Sequence, residues 1–268
     1  MAFRHAFRHI IQVSAEQAVG ASALNSWMGS KAQADGDEED DGTTTDATDA
    51  ALAEARKHLL PPFDLSANDK AKCYNLKTLV GEKERAAMRR QLSSLKSAGP
   101  EWQTPLSAEG SKWPALSLEA TRNSDPDVAV DGLLLKHLVS MYLKPNKFFR
   151  RSALRDESKA LGMPAEVLQG LLDKFGAKQE GDSEAATVWR VTKSLMDKLA
   201  LHLLILALKL SQYKLSTASL SKDLQMPPAS IANLLRQVGC KVVAEKTNGG
   251  HIATLEAPLV FPGRRRKR

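Results

Sequence analysis

The chain has 268 residues, 43% apolar and 26% charged, with a formal net charge of +7, which is ordinary for a soluble globular protein of one or two domains. Two cysteines, Cys73 and Cys240, are too few and too far apart for a disulfide framework or a zinc site, so a reducing intracellular compartment is the default. The most apolar stretch, Leu199 to Leu210, is interrupted or bounded by Lys198, His202 and Lys209 and reads as a buried core helix, not a membrane span.

Residues 1–50 come first in chain order. Met1 to Ala34 holds FRHAFRH, many Ala and Ser, and one acid, Glu16. It reads as an amphipathic presequence of mitochondrial type, or equally as the remnant of a segment whose upstream part is absent. His5 and His9 stand one helical turn apart, but no nearby Glu, Asp or Cys completes a metal set, and a plain surface helix is the preferred reading. Gly36 to Asp49 (GDEEDDGTTTDATD) is acidic and polar and cannot bury enough apolar surface to order itself; it reads as a disordered linker.

Residues 51–127 read as a helical lead-in. Ala51 to Leu60 forms a helix closed by Pro61-Pro62, and Lys70 to Leu95 forms one or two helices broken near Gly81. Between Ser97 and Asp125, the residues Trp102, Trp113, Leu116 and Leu118 are expected to pack on the domain that follows.

From residue 128 the chain repeats itself. Ser158 to Lys178 (SKALGMPAEVLQGLLDKFGAK) and Ser221 to Lys241 (SKDLQMPPASIANLLRQVGCK) lie 63 residues apart and share nine identities in 21 positions. A repeat on this scale means two copies of one supersecondary unit. Each copy has a short helix ending at Leu161 or Leu224, a tight Met-Pro connection, and a second helix opening on Pro164 or Pro227, where proline suits the first turn. Val167, Leu168, Leu171, Leu172 and Phe175 make one apolar face, as do Ile231, Leu234, Leu235 and Val238. Gly176 and Gly239 are expected at left-handed C′ positions. An apolar helix precedes each pair, Leu133 to Leu143 and Leu195 to Leu210, and two short strands follow each. The first pair is Ala177 to Gln179 and Thr187 to Val191, turning at Gly181 to Ser183; the second is Lys241 to Ala244 and Ile252 to Leu255, turning at Asn248-Gly249. Three helices and a β-hairpin, twice, predict a mainly α fold with short β-hairpins: a tandem winged helix over 128–191 and 192–262, followed by a basic tail, 263–268.

The repeated half is the basic half. Residues 128–268 carry 23 Lys and Arg against 12 Asp and Glu, a net of +11 against +7 for the whole chain, so the first 127 residues are acidic. Cations gather in the loop Lys144 to Arg151, with Lys147 and Arg150, and in the tail with Arg264, Arg265 and Arg266. On this fold they point to nucleic-acid phosphates, although a terminal basic run serves as well as an import signal. The second helix of the first copy offers Glu166, Gln169, Asp173 and Lys174, a set that would repel phosphate and is expected to face protein. Its counterpart offers Ser230, Asn233, Arg236 and Gln237, with Lys241 just beyond, and is expected to contact DNA without much sequence selection. No Gly-rich phosphate loop, HExxH or GxSxG motif points to catalysis or a cofactor, and His137 and His202 read as packed histidines among leucines. A sequence-specific winged-helix regulator and a protein-interaction scaffold of ESCRT-II-like or PCI type stay open as alternatives.

The segment Leu60 to Met88 (LPPFDLSANDKAKCYNLKTLVGEKERAAM) resembles the entry to the C-terminal module of the forty-nine-kilodalton subunit family of RNA polymerase I. DGLLLKHLVSMYL, Arg150 to Leu154, DKLALHLLILALKLSQYKLSTASLSKDLQM and TLEAPLVFP extend the resemblance to about Pro262. It implies a non-catalytic nuclear and nucleolar polymerase subunit related to TFIIE and TFIIF. Its tandem winged helix would bind DNA and support initiation and elongation on ribosomal RNA genes. The family normally begins with a β-rich dimerisation domain that pairs with a smaller TFIIF-like subunit. Nothing in Met1 to Asp49 could build it, so either the sequence lacks an upstream part or this form has no such domain, and the pairing is open.

Overall fold

The computed structural model describes residues 54, 56–97, 125–144, 147–180, 186–245 and 250–261. The segment with His5 and His9, the acidic linker, the tryptophan-bearing stretch around Trp102 and Trp113, both hairpin turns and the tail arginines Arg264, Arg265 and Arg266 fall outside these residues. The described residues within Pro61–Pro262 form one unit.

That unit opens on an irregular lead-in pinned by a bridge between Phe63 and Tyr74, then a short 3-10 turn, Leu76–Thr78, capped by the Asn75 side chain. Only after Gly81 does a regular helix form, α1 (Glu82–Ser97). The helix expected to run from Lys70 is therefore irregular up to Gly81.

The first copy runs through α2 (Pro126–Leu143), β1 (Phe148–Arg150), α3 (Leu154–Ala160), α4 (Ala165–Phe175), β2 (Ala177–Gln179) and β3 (Val188–Arg190). The second runs through α5 (Lys193–Leu210), β4 (Lys214–Ser216), α6 (Thr217–Leu224), α7 (Pro228–Gln237), β5 (Cys240–Ala244) and β6 (His251–Leu255). Each copy closes a three-stranded antiparallel sheet in which the early strand pairs with the last one, in the orders β1-β3-β2 and β4-β6-β5. The two hairpins expected from sequence are therefore each completed by a third strand, one of them cut from the basic loop Lys144 to Arg151.

Starts of equivalent elements keep the 63-residue offset from α3 onward: 154 and 217, 165 and 228, 177 and 240, 188 and 251. Upstream, β1 and β4 are 66 apart because a three-residue 3-10 turn, Arg151–Ala153, separates β1 from α3, whereas α6 follows β4 directly. The turns between helices also match in conformation. Gly162 and Gln225, 63 residues apart, both adopt positive φ, 64° and 51°. Gly239 is left-handed as expected, at φ 83°. Gly176 is not; its φ is −118°, and it is glycine because a Cβ would lie 2.6 Å from the Leu172 carbonyl oxygen and 3.1 Å from Trp189 Cβ.

At the centre, α2 packs on α5. Both helices are apolar nearly all round, with Leu133, Leu134, Leu135 and Leu138 of α2 and the run Leu199 to Leu208 of α5 buried. This is what a helix covered on every side requires. The copies also exchange contacts, α2 with α6 and α4 with α5. Asp131 of α2, its side chain 5% exposed, is held between Arg85 of α1 at 3.4 Å and Lys209 of α5 at 2.7 Å. Two cations offset its desolvation and tie three helices together.

Candidate nucleic-acid interface

The residues proposed from sequence divide by what surrounds them. Lys144 caps the end of α2 with its side chain 11% exposed; its ammonium bonds Glu157 and lies 4.3 Å from the Phe149 ring centroid. Lys147 donates to the Tyr142 carbonyl at 2.6 Å, satisfying an orphan carbonyl at the C-terminus of α2. Burial, then the neighbouring Lys144 charge, lowers the Lys147 pKa. Both cations are thus engaged inside the first copy. Arg150 is exposed on β1, and Arg190, also exposed, stacks 5.3 Å over the exposed Phe148 ring on the same sheet. Arg151 is half-buried.

In the first copy the outer side of α4 is covered by the protein's own lead-in. Glu84 of α1 lies against Gly170, where a Cβ would meet its Oε1 at 2.8 Å. Lys174 donates to the Thr78 carbonyl at 2.6 Å, and Gln91 Nε2 donates to the Gly162 carbonyl at 2.9 Å. Asp173, although exposed, accepts from Trp189 Nε1 at 3.0 Å and so anchors the sheet. Glu166 remains exposed at the start of the helix.

The counterpart helix α7 keeps its outer side open. Ile231, Ala232 and Leu235 are buried, while Ala229, Ser230, Asn233 and Arg236 are exposed. Arg236 Nη1 donates to Asn233 Oδ1 at 2.8 Å, which orients the guanidinium along the helix. Equivalent positions differ in kind: Glu166 becomes Ala229, Gly170 becomes Asn233 and Asp173 becomes Arg236.

The sheet of the second copy sets Lys241 beside a cation that sequence reasoning missed, Lys214. Lys214 of β4 pairs with Thr254 of β6, which pairs with Lys241 of β5. Residues directly opposite share a face, so both exposed lysines stand on one side of the sheet, away from the buried row Leu215 and Ala253. Lys241 lies 3.9 Å from Glu256, with both side chains more than half exposed. The signal for Lys214 was the short strand Lys-Leu-Ser ahead of α6, whose pairing is visible only in the fold.

Burial, and then the Lys136 charge, drives the His137 pKa down to about 3, and burial is also the main cause that takes His202 to about 3. Burial pushes the Cys240 thiol up to about 12. Among the described residues no group of three or more His, Cys, Asp or Glu could hold a metal, and no helix is long and apolar enough to cross a membrane.

No curated protein matches the chain. A family model described as A49-like RNA polymerase I associated factor does match, over residues 8–262. The match begins well upstream of Leu60, where the resemblance in sequence becomes legible, and ends at the same proline. With a match covering most of its length, the chain belongs to the family of A49-like RNA polymerase I associated factors.

Proposed function

We propose that this protein is a non-catalytic, DNA-binding subunit of RNA polymerase I that supports initiation and elongation of ribosomal RNA transcription in the nucleolus. Its two copies act as winged helices of unequal role, spanning 128–191 and 192–262. The second meets nucleic acid through α7 and the outer face of its sheet, with Asn233, Arg236, Lys214 and Lys241 contacting phosphate. Arg150, Arg151 and the tail arginines Arg264, Arg265 and Arg266 extend that surface, while Lys144 and Lys147 hold β1 in place beside it.

The observation that carries this reading is the open, acid-free outer side of α7, set against the covered side of α4. A neutral amide and a cationic guanidinium on an uncovered helix, with two lysines in one cross-strand row, suit a phosphate backbone and offer little to distinguish base edges. The test is a titration of the full chain with two unrelated DNA duplexes over a range of salt. Affinity should fall steeply with ionic strength and be similar for both sequences. Arg236→Gln with Lys241→Gln should weaken both and reduce the salt slope by roughly one to two. Salt-independent binding, or about a thousandfold preference for one sequence, would reject this reading, the latter in favour of a sequence-specific regulator.

A further inference from the structure

A cleft of about 400 Å³ opens between the lead-in and the second copy, on residues that the reading above does not use. Its volume falls within the range of roughly 300–1,000 Å³ typical of small-molecule sites. Lys70, Lys72, Lys77 and Lys209 line it, together with Tyr213 and the buried Leu255. No carboxylate is among its lining residues.

Three features set this cleft apart from a solvated basic surface. Residues 70–77 (KAKCYNLK) hold three lysines and no acid, and the three side chains have no hydrogen-bond or ion-pair partner among the described residues. Nearby Asp69 is turned onto the Ala71 backbone N–H at 3.0 Å, and Lys209 shares the single carboxylate of Asp131 with Arg85, so positive charge is left in excess. The wall is aromatic and apolar. Tyr213 is held there by two consecutive residues at positive φ, Gln212 at 54° and Tyr213 at 64°, a conformation that bulky residues rarely adopt.

We propose that this cleft binds one nucleoside phosphate unit, with the base against Tyr213 and the phosphates on Lys70, Lys72 and Lys77. Lysine ammonium groups around an aromatic wall match the two halves of such a ligand, which an inorganic anion or an aliphatic acid would engage only in part. The unit comes either from a free nucleotide or from a single strand.

The experiment is calorimetric titration of the full chain with ATP, pyrophosphate, a single-stranded oligothymidylate and an oligoglutamate peptide. ATP or the oligothymidylate should bind, and pyrophosphate should bind at least about tenfold more weakly than whichever does, because it lacks a base to stack. Binding by ATP assigns the free nucleotide; binding by the oligothymidylate alone assigns the strand. Lys70→Gln with Lys72→Gln and Lys77→Gln should weaken the bound nucleotide probe about tenfold or more. Tyr213→Ser should weaken it while leaving pyrophosphate unaffected, and an unchanged circular dichroism spectrum and melting midpoint exclude misfolding as the cause. The proposal is overturned if neither nucleotide probe binds, if pyrophosphate binds as tightly, if oligoglutamate binds more tightly, or if the triple variant binds unchanged. Duplex affinity in the triple variant separates the two readings, since intact duplex binding with a failed cleft leaves the α7 assignment standing.

Discussion

The two copies have nearly the same backbone plan and opposite surroundings. In the first, α4 gives its outer side to α1, and Gly170 admits Glu84 where a larger residue would collide. In the second, α7 carries Asn233 at the equivalent position, and among the described residues its outer positions are exposed. Duplication supplied two helices able to face a ligand. At the equivalent positions, Gly170 against Asn233 makes room for Glu84, Asp173 against Arg236 receives Trp189 Nε1 of its own copy's sheet, and Glu166 against Ala229 leaves an exposed carboxylate. A repeat therefore says how many units there are, and the departures from it say which helix is covered from within.

The sharpest way to test that the copies are equal in their cores is to cut the same side chain from each. Leu172 and Leu235 are equivalent and both fully buried, so Leu172→Ala and Leu235→Ala should each cost about 2–5 kcal/mol in denaturant unfolding. A loss near zero in one would break the equivalence.

Acid should act on both copies as well. The unfolded histidines titrate near 6.5, while His137 and His202 in the folded protein titrate at about 3, so the unfolded chain binds more protons between these values. The stability carried by their neutral state is complete above pH 6.5 and is lost as pH falls toward 3, at roughly 1.4 kcal/mol per pH unit for each histidine. Unfolding free energies measured across this range should flatten in His202→Leu; an unchanged slope would show that the ring is hydrated. His137 Nε2 pairs with Gln91 Oε1 at 3.0 Å, so its contribution also reports whether α1 stays on α2.

The difference between copies is tested by exchange. Gly170→Asn should destabilise by about 1–3 kcal/mol through overpacking against α1, read from the melting midpoint, whereas Asn233→Gly should cost about 1 kcal/mol or less, through helix propensity and the loss of its exposed bond from Arg236. Equal effects would mean that α1 does not seat on α4. The smallest expected effect is on binding. Glu166→Gln with Asp173→Asn should change duplex affinity by less than about twofold, since α4 is proposed to stand away from DNA and the asparagine retains an acceptor for Trp189. A large gain in a polarisation assay would place α4 at the nucleic acid.

Much of this was legible in sequence, and the reasons for the rest are physical. The helix pairs were readable because apolar spacing, proline and the 63-residue repeat agree on them. The start of α2 at Pro126 was missed although Asp125 caps it, its carboxylate accepting from the Asp127 N–H at 2.9 Å, because the first turn precedes the strongly apolar run. β1 and β4, three residues each, carry too little pattern to announce a strand; their partners lie about 40 residues downstream, at Val188–Arg190 and Ile252–Thr254. The charge of α4 pointed to a protein neighbour and the lead-in was expected to pack on the first copy, but nothing in the sequence placed α1 on α4 in particular. Lys144 and Lys147 read as surface cations because sequence shows charge and not the carbonyl or carboxylate that receives it.

One bond has a consequence for how the chain comes to fold. The Tyr74 hydroxyl donates to the Val238 carbonyl at 2.6 Å across 164 residues of sequence. Phe63 likewise meets Phe261, ring centroids 5.1 Å apart. During synthesis from the N-terminus, the lead-in leaves the ribosome long before either partner exists, and closing so long a loop yields nothing until α7 and the last strand are in place. The stretch from Phe63 to Tyr74 is therefore among the last parts of the unit to order, later than the residues around Thr78 that seat on α4 of the first copy.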